Sequence, residues 1–137
     1  MPPAMDVDEL QAFLDAAFPS ELPYAVEEIL DTGVRLRLYV GESNVRPGGT
    51  VSGPSLMALA DCAAWLAVVG QIGPVALAVT TNLNINFLRK PEAGDLIGHC
   101  RLLKLGKRLA VGEVTIVSEG SDEPVAHAVG TYSIPAR

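Results

Sequence analysis

One carboxylate stands apart in this chain. Asp61 is the only charged residue between Gly53 and Ile72, a run otherwise dominated by alanine, leucine and valine. Leaving an unpaired carboxylate in apolar surroundings is costly, so such residues are usually exposed, paired or functional. Apolar surroundings also make a carboxylate a stronger base, able to activate a water or to attack a carbonyl carbon directly. Eight residues earlier stands Ser52-Gly53. A backbone N–H at a helix start, with aligned peptide dipoles behind it, can polarise a carbonyl oxygen and hold the oxyanion that develops there. Ser52, Thr80 and Asn82 could add a donor or hold the water. Arg46 could contact substrate; equally, it could pair with Asp61 across a subunit interface and serve structure alone. Gly48-Gly49 permits close backbone approach to a ligand or simply a turn. A base, an oxyanion donor and polar helpers are the requirements of acyl-group hydrolysis.

The elements that must position these groups are legible in the pattern. Gly53-Pro54 opens a long helix, since proline is tolerated in a first turn, and Ser52 is its candidate cap. Leu56, Leu59, Ala60, Ala63 and Ala67 share one side; Met57, Ala58, Trp65 and Val68 share the other. Apolar residues all round predict a helix buried on all sides. Upstream, Asp6 to Phe18 predicts a short amphipathic helix capped by Asp6 or Asp8, with Val7, Leu10, Phe13, Leu14 and Ala17 as its stripe and Pro19 ending it. Tyr24 to Val40 predicts a strand or hairpin, with Asp31-Thr32-Gly33 as the turn and Val34, Leu36, Leu38 and Val40 on one face. A polar loop, Gly41 to Thr50, delivers the chain into the long helix.

Four strand-like runs follow: Val75 to Leu88, Leu96 to Leu105, Leu109 to Val117, and Val125 to Ile134. In the first, Thr80, Asn82, Asn84 and Asn86 alternate with Thr81, Leu83, Ile85 and Phe87. Asparagine is a poor strand former, so the polar face predicts a wet, ligand-facing surface or a plain edge. No helices separate these runs, which excludes a doubly wound parallel sheet. The predicted class is α+β, with an antiparallel sheet wrapped around a central helix. Residues 1–22 read as an N-terminal helical segment and 23–137 as the main domain.

Composition narrows the function. The 137 residues carry a net charge of −6, which gives no support for nucleic-acid binding. At 49% hydrophobic and 19% charged residues, the chain is suited to burying part of its surface against another subunit. Cys62 and Cys100 form no CxxC, and His99 and His127 fall in no ligand spacing, so no metal site is expected. The N-terminus lacks a basic region followed by an apolar run, and no stretch of about 18 apolar residues is evident. The expectation is a cytoplasmic protein with reduced thiols and no membrane span.

Two segments, GTVSGPSLMALAD and TNLNINFLRKPEAGD, resemble the hotdog-fold acyl-CoA thioesterases of the phenylacetate-degradation (PaaI-like) type. The resemblance covers roughly Val40 to Ile134. It implies a homodimer whose sheets pair edge to edge, often a dimer of dimers (a homotetramer), acting on an acyl-CoA with no separate cofactor. It implies that Asp61 is the catalytic helix carboxylate, that the Gly53 N–H faces the thioester oxygen, and that Thr80 lies near a hydroxyl position of some members. Asp61 of one subunit would then work against Gly53 of the other. Arg89, Lys90, Lys104, Lys107 and Arg108 would contact the phosphates of coenzyme A, or else are solvated turn residues. Met57 and Trp65 would line the acyl tunnel or pack the core. Where the family usually carries His-Gly-Gly, this chain has Ser52-Gly53-Pro54; where it often carries Asn, this chain has Arg46. These departures leave a non-catalytic or weakly active acyl-CoA-binding protein of the same fold as the alternative. Thioester hydration or dehydration would need a pocket histidine, and His99 and His127 fall in late strands.

Overall fold

The structure, a computed structural model, describes residues 2–18, 23–75 and 77–136. Helix α1 spans Val7–Ala17. The Asp6 carboxylate accepts the Glu9 N–H at 2.8 Å, and the Glu9 carboxylate accepts the Asp6 N–H at 3.1 Å. This reciprocal pairing satisfies two of the free donors of a helix start. Leu10 and Leu14 are buried in the core; Val7 and Phe13 pack against it, while Ala17 is exposed. Pro19 and the boundary expected at residue 22 lie outside the described residues.

Strands β1 (Tyr24–Leu30) and β2 (Gly33–Leu38) form the expected hairpin, turning through Asp31 and Thr32. Gly33 is required by close approach: a Cβ there would stand 1.9 Å from the Cys100 carbonyl oxygen on β4. The chain then runs through the long helix α2 (Gly53–Ile72) into β3 (Val79–Phe87), β4 (Leu96–Leu105), β5 (Leu109–Ser118) and β6 (Pro124–Ser133). Val75, Leu77 and Ala78 precede the first of these strands rather than belonging to it. The six strands form one sheet in the order β1-β2-β4-β5-β6-β3, with antiparallel neighbours throughout.

The sheet curls around α2. Ala60, Ala63, Ala64 and Ala67 are buried on the sheet-facing side, where small side chains let the helix lie close. A Cβ on Gly98 of β4 would already be 3.4 Å from Leu59 and 3.6 Å from Ala63. Burying a leucine such as Leu59 or Leu66 contributes roughly 1.5–3 kcal/mol, so this face holds the fold together. Contrary to the expectation of no such stretch, α2 is long and apolar enough to cross a bilayer by length and composition alone; more than half of it is buried inside the fold.

The expectation of burial on every side requires correction. Pro54, Met57 and Ala58 are exposed, and Asp61, Cys62 and Trp65 are half-buried. Their spacing of three and four residues marks one continuous stripe. The sheet is a half-sleeve, and this apolar stripe is left open in the single chain. The two sheet edges also differ. At β1, the Gln11 side chain of α1 behaves like an added strand, accepting the Val26 N–H at 2.7 Å and donating to the Tyr24 carbonyl at 3.2 Å. At β3 the edge is open, with Val79, Phe87 and Leu88 each more than half exposed.

The outer face of the sheet carries a cluster of charges. Arg37 on β2 reaches Glu27 at 2.7 Å, Asp95 at 3.0 Å and Glu119 at 3.0 Å. The Glu27 hydrogen bond pushes its pKa further above the ordinary arginine value, against a smaller opposing effect of burial.

Candidate active site

Strand β3 does not keep a regular alternation. A bulge at Thr81 interrupts its pairing with β6, so that Thr80 opposes Tyr132 while Asn82 opposes Thr131. An extra residue in one strand reverses the facing of all that precedes it. Thr80 therefore does not share a face with Asn82, Asn84 and Asn86, as the alternation predicts. It faces α2, and the three asparagines are exposed on the opposite face.

That reversal brings Thr80 to Asp61. The Thr80 hydroxyl donates to Asp61 Oδ1 at 2.7 Å. The Tyr132 hydroxyl reaches the same Oδ1 and also lies 2.7 Å from the Asp61 carbonyl oxygen. Tyr132 is buried to within 1% exposure. Burial first, and then its bond to Asp61, raises the phenol's pKa far above the usual value. Tyr132 is thus a permanent donor. Oδ2 of Asp61 has no hydrogen-bond partner among the described residues.

Asp61 and Thr80 open onto a cleft of about 580 Å³, walled by Phe18, Tyr24, Cys62 and Trp65. Phe13 and Phe18 of the N-terminal segment pack on the Trp65 ring, with centroids 5.4 and 5.8 Å away. Burial, then the nearby Asp61 carboxylate, pushes the Cys62 thiol up to about 12. Burial likewise pushes the Tyr24 phenol up to about 12, with smaller effects from Cys62 and Asp61. Both groups stay neutral at ordinary pH, leaving the Asp61 carboxylate alone among neutral and apolar walls. Of the two roles open to Trp65 it takes both, lining this cleft and packing against the core; Met57 lies on the exposed stripe, 41% exposed.

At the other end of the site, Ser52 caps α2 as expected, its hydroxyl accepting the Ser55 N–H at 3.3 Å. Asn44, not Arg46, is held against this helix start. Its side-chain amide donates to Ser55 Oγ at 3.2 Å, and its backbone carbonyl accepts the Ser52 N–H at 2.7 Å. Arg46 sits on an exposed turn closed by its N–H to Thr50 O at 2.8 Å and the Gly49 N–H to Arg46 O at 3.0 Å. Gly48 and Gly49 both adopt positive φ, so their pairing serves the turn. Among the described residues Arg46 makes no ion pair, and the pairing with Asp61 is not seen within the chain.

Gly53 and Asp61 do not meet within one chain. Eight residues of helix separate them by about 12 Å along the axis. The sheet also keeps them apart: a Cβ on Gly53 would lie 3.5 Å from the Phe87 ring at one end of β3, whereas Asp61 bonds Thr80 at the other. The basic residues divide likewise and form no single cluster. Arg89 and Lys90 follow the Phe87 end, with Arg89 already paired to Glu123 at 2.8 Å and to the Pro124 carbonyl at 2.8 Å. Lys104, Lys107 and Arg108 surround the β4–β5 turn at the Thr80 end, where the Ile134 N–H meets the Arg108 carbonyl at 2.8 Å. The length of β3 puts roughly 25 Å between the groups.

Similarity to known proteins fits this architecture. Residues 48–125 match the family model described as Thioesterase superfamily. The protein named "Putative esterase VNG_1336C" of Halobacterium salinarum is 35% identical over 141 residues, covering 93% of this chain and 93% of that protein. The crystal structure of "a putative thioesterase" from Silicibacter sp. TM1040 is 47% identical, with a TM-score of 0.89 over 98% of this chain and 95% of that one. A mutant of the phenylacetic acid degradation protein PaaI from Thermus thermophilus is 26% identical, with a TM-score of 0.72 over 90% of this chain and 99% of that one. A central helix wrapped by an antiparallel sheet, together with a family match over more than half of the sequence, places this chain in the hotdog-fold thioesterase superfamily, as an esterase-type hydrolase.

Proposed function

We propose that the protein is a PaaI-like acyl-CoA thioesterase, hydrolysing the thioester to a free acid and coenzyme A. The observation that carries this reading is the state of Asp61. One of its oxygens is held by two neutral donors, the other is unpartnered among the described residues, and the side chain faces an apolar cleft. Asp61 acts as general base or nucleophile, and the same free oxygen serves either route. In the first it takes a proton from water as the oxygen adds to the thioester carbon; in the second it adds directly and the anhydride is then hydrolysed. In both, the tetrahedral oxyanion collapses with expulsion of the CoA thiolate.

The oxyanion donor is the Gly53 N–H of a second subunit. The open β3 edge and the bare α2 stripe are the surfaces left for such a partner. Antiparallel pairing of β3 with its copy sets the Thr80 end of one chain beside the Phe87 end of the other. That brings Asp61 to the partner subunit's Gly53. It also sets Lys104, Lys107 and Arg108 beside the partner subunit's Arg89 and Lys90, reuniting the cations that one chain separates. Coenzyme A phosphates are their expected ligand. Ser52, with Asn44 behind it, marks the helix start that would face the carbonyl. The homodimer is the minimal unit in this proposal, with a dimer of dimers built on it and a cytoplasmic setting for its free thiols.

Thiol release from short, medium, long and aromatic acyl-CoAs tests the reading, with D61N as the control. The expected result is turnover that falls at least ~1,000-fold in D61N while CoA binding persists. The departure at Ser52, where the family usually carries His, favours one other reading, an acyl-CoA-binding protein with little or no turnover. Retained binding with no thiol release from any acyl-CoA would establish it and overturn the hydrolase.

A further inference from the structure

Resting on that hydrolase reading, we infer that Tyr132 is a positioning residue for Asp61: its buried hydroxyl, together with Thr80, holds Oδ1 and so decides which carboxylate oxygen is free to react. Three observations converge. Thr80 and Tyr132 lie directly opposite each other across the β3–β6 pairing, and the bulge at Thr81 turns Thr80 inward beside its partner. Both hydroxyls converge on the same oxygen, leaving Oδ2 without a partner among the described residues. The Tyr132 ring is seated where β6 carries a glycine two residues earlier: a Cβ on Gly130 would stand 3.3 Å from Tyr132 Cε1 and 3.4 Å from Leu83 Cδ1.

A phenol has one proton to give. Its two acceptors here belong to the same residue, the Asp61 carbonyl and the Asp61 carboxylate. The carbonyl lies inside α2, where the helix ladder already supplies an N–H four residues on. The carboxylate is the stronger acceptor, because a hydrogen bond to an ionised group is about twice as strong as a neutral one. The proton therefore belongs on Oδ1. Burial keeps the phenol protonated, so this donor does not switch off with rising pH in the working range. A carboxylate pinned at one oxygen loses its rotational freedom about χ2 and presents the other along a fixed direction. A group held in its reacting geometry is worth far more than the same group free to turn. Tyr132 acts through Asp61, the residue its hydroxyl reaches.

The test compares wild type, Y132F, T80V and the double variant in the full-length protein. Kinetics are read on the best acyl-CoA of the panel, alongside thermal unfolding. Y132F is expected to lower kcat about 10–100-fold, with KM within about twofold. The double variant is expected to lose less than the product of the two single losses, because both hydroxyls hold one oxygen. G130A keeps the hydroxyl but crowds the ring, and is expected to lower kcat in the same direction even if Y132F folds poorly. Wild-type kcat in a well-folded Y132F would overturn the inference and leave the hydrolase reading intact. The reverse failure is separately visible: no thiol release from wild type overturns the hydrolase reading and takes the catalytic part of this inference with it. A proton NMR spectrum then decides the contact itself. A downfield, slowly exchanging hydroxyl resonance that vanishes in Y132F and moves upfield in D61N supports the pinning of Oδ1; its absence from the wild-type spectrum overturns it.

Discussion

Arg37 and Asp61 stand on opposite sides of the same sheet and keep opposite company. Arg37 is surrounded by three carboxylates within 3.0 Å, and its side chain is only 16% exposed. Its donors are spent on Glu27, Asp95 and Glu119, which tie β1 and two loops to β2. Asp61 has no cation near it at all among the described residues; its partners are two neutral hydroxyls, both on one oxygen. A charge matched by opposite charges is held in place and has no capacity left over. A charge met only by neutral donors on one side keeps a reactive oxygen and an unmet demand for stabilisation. The first arrangement serves stability and the second suits chemistry.

The sharpest way to break this contrast is to neutralise each charge in turn. D61N should abolish turnover yet leave the thermal unfolding midpoint unchanged or higher, because an amide oxygen still accepts from Thr80 and Tyr132 and no charge remains in the cleft. Calorimetry on the same preparation used for kinetics checks this; a clear drop in the midpoint would make Asp61 a structural residue. R37M should do the reverse. It keeps the stem and leaves three carboxylates facing one another, for a loss of about 1–3 kcal/mol, read from urea unfolding, with kcat within about twofold of wild type. Equal damage to activity would show that the outer cluster communicates with the cleft.

A smaller effect concerns the two thiols, Cys62 at the cleft and Cys100 in the core. Burial is the first cause that pushes both Cys62 and Cys100 up to about 12, whereas the unfolded chain ionises its thiols near ~8.5. The folded state therefore holds more protons than the unfolded one between these values. Their stabilising contribution is complete below the unfolded value and is lost as pH climbs toward the folded one. Unfolding midpoints measured from pH 8 to 11 should fall, and a C62A/C100A variant should fall less steeply. An identical slope would show that the thiols ionise freely in the native protein.

Much of this architecture is local and so was legible in the chain. The Asp6 cap, the Asp31-Thr32 turn and the start of α2 at Ser52 each depend on a few adjacent residues. So does the isolation of Asp61 in an apolar helix. What escaped is set by partners distant in sequence. The facing of Thr80 depends on a bulge, and hence on which β6 residue opposes it. Tyr132 reads as one more inward residue of a late strand until β6 is placed beside Asp61, 71 positions away. Asn44 was hidden behind Arg46 because the Gly48-Gly49 turn folds back and lifts Arg46 away from the helix start. The five basic residues look grouped when counted, yet strand length puts them at two ends of the sheet. Periodicity predicts a fully sheathed α2 because it reports that a face is apolar, not what covers it.

The central claim is that the active site is assembled from Asp61 of one chain and the helix start of another, and subunit mixing tests it most directly. D61N lacks the base. G53V crowds the helix start beside Phe87, where a Cβ already meets the ring at 3.5 Å. Each homodimer should be inactive. Refolded together in equal amounts, they should recover about a quarter of wild-type turnover, because half of the dimers would be mixed and each would hold one intact site of two. A mixture no more active than its two components, with mixed dimers confirmed by mass, would contradict a shared site and confine the chemistry to a single chain.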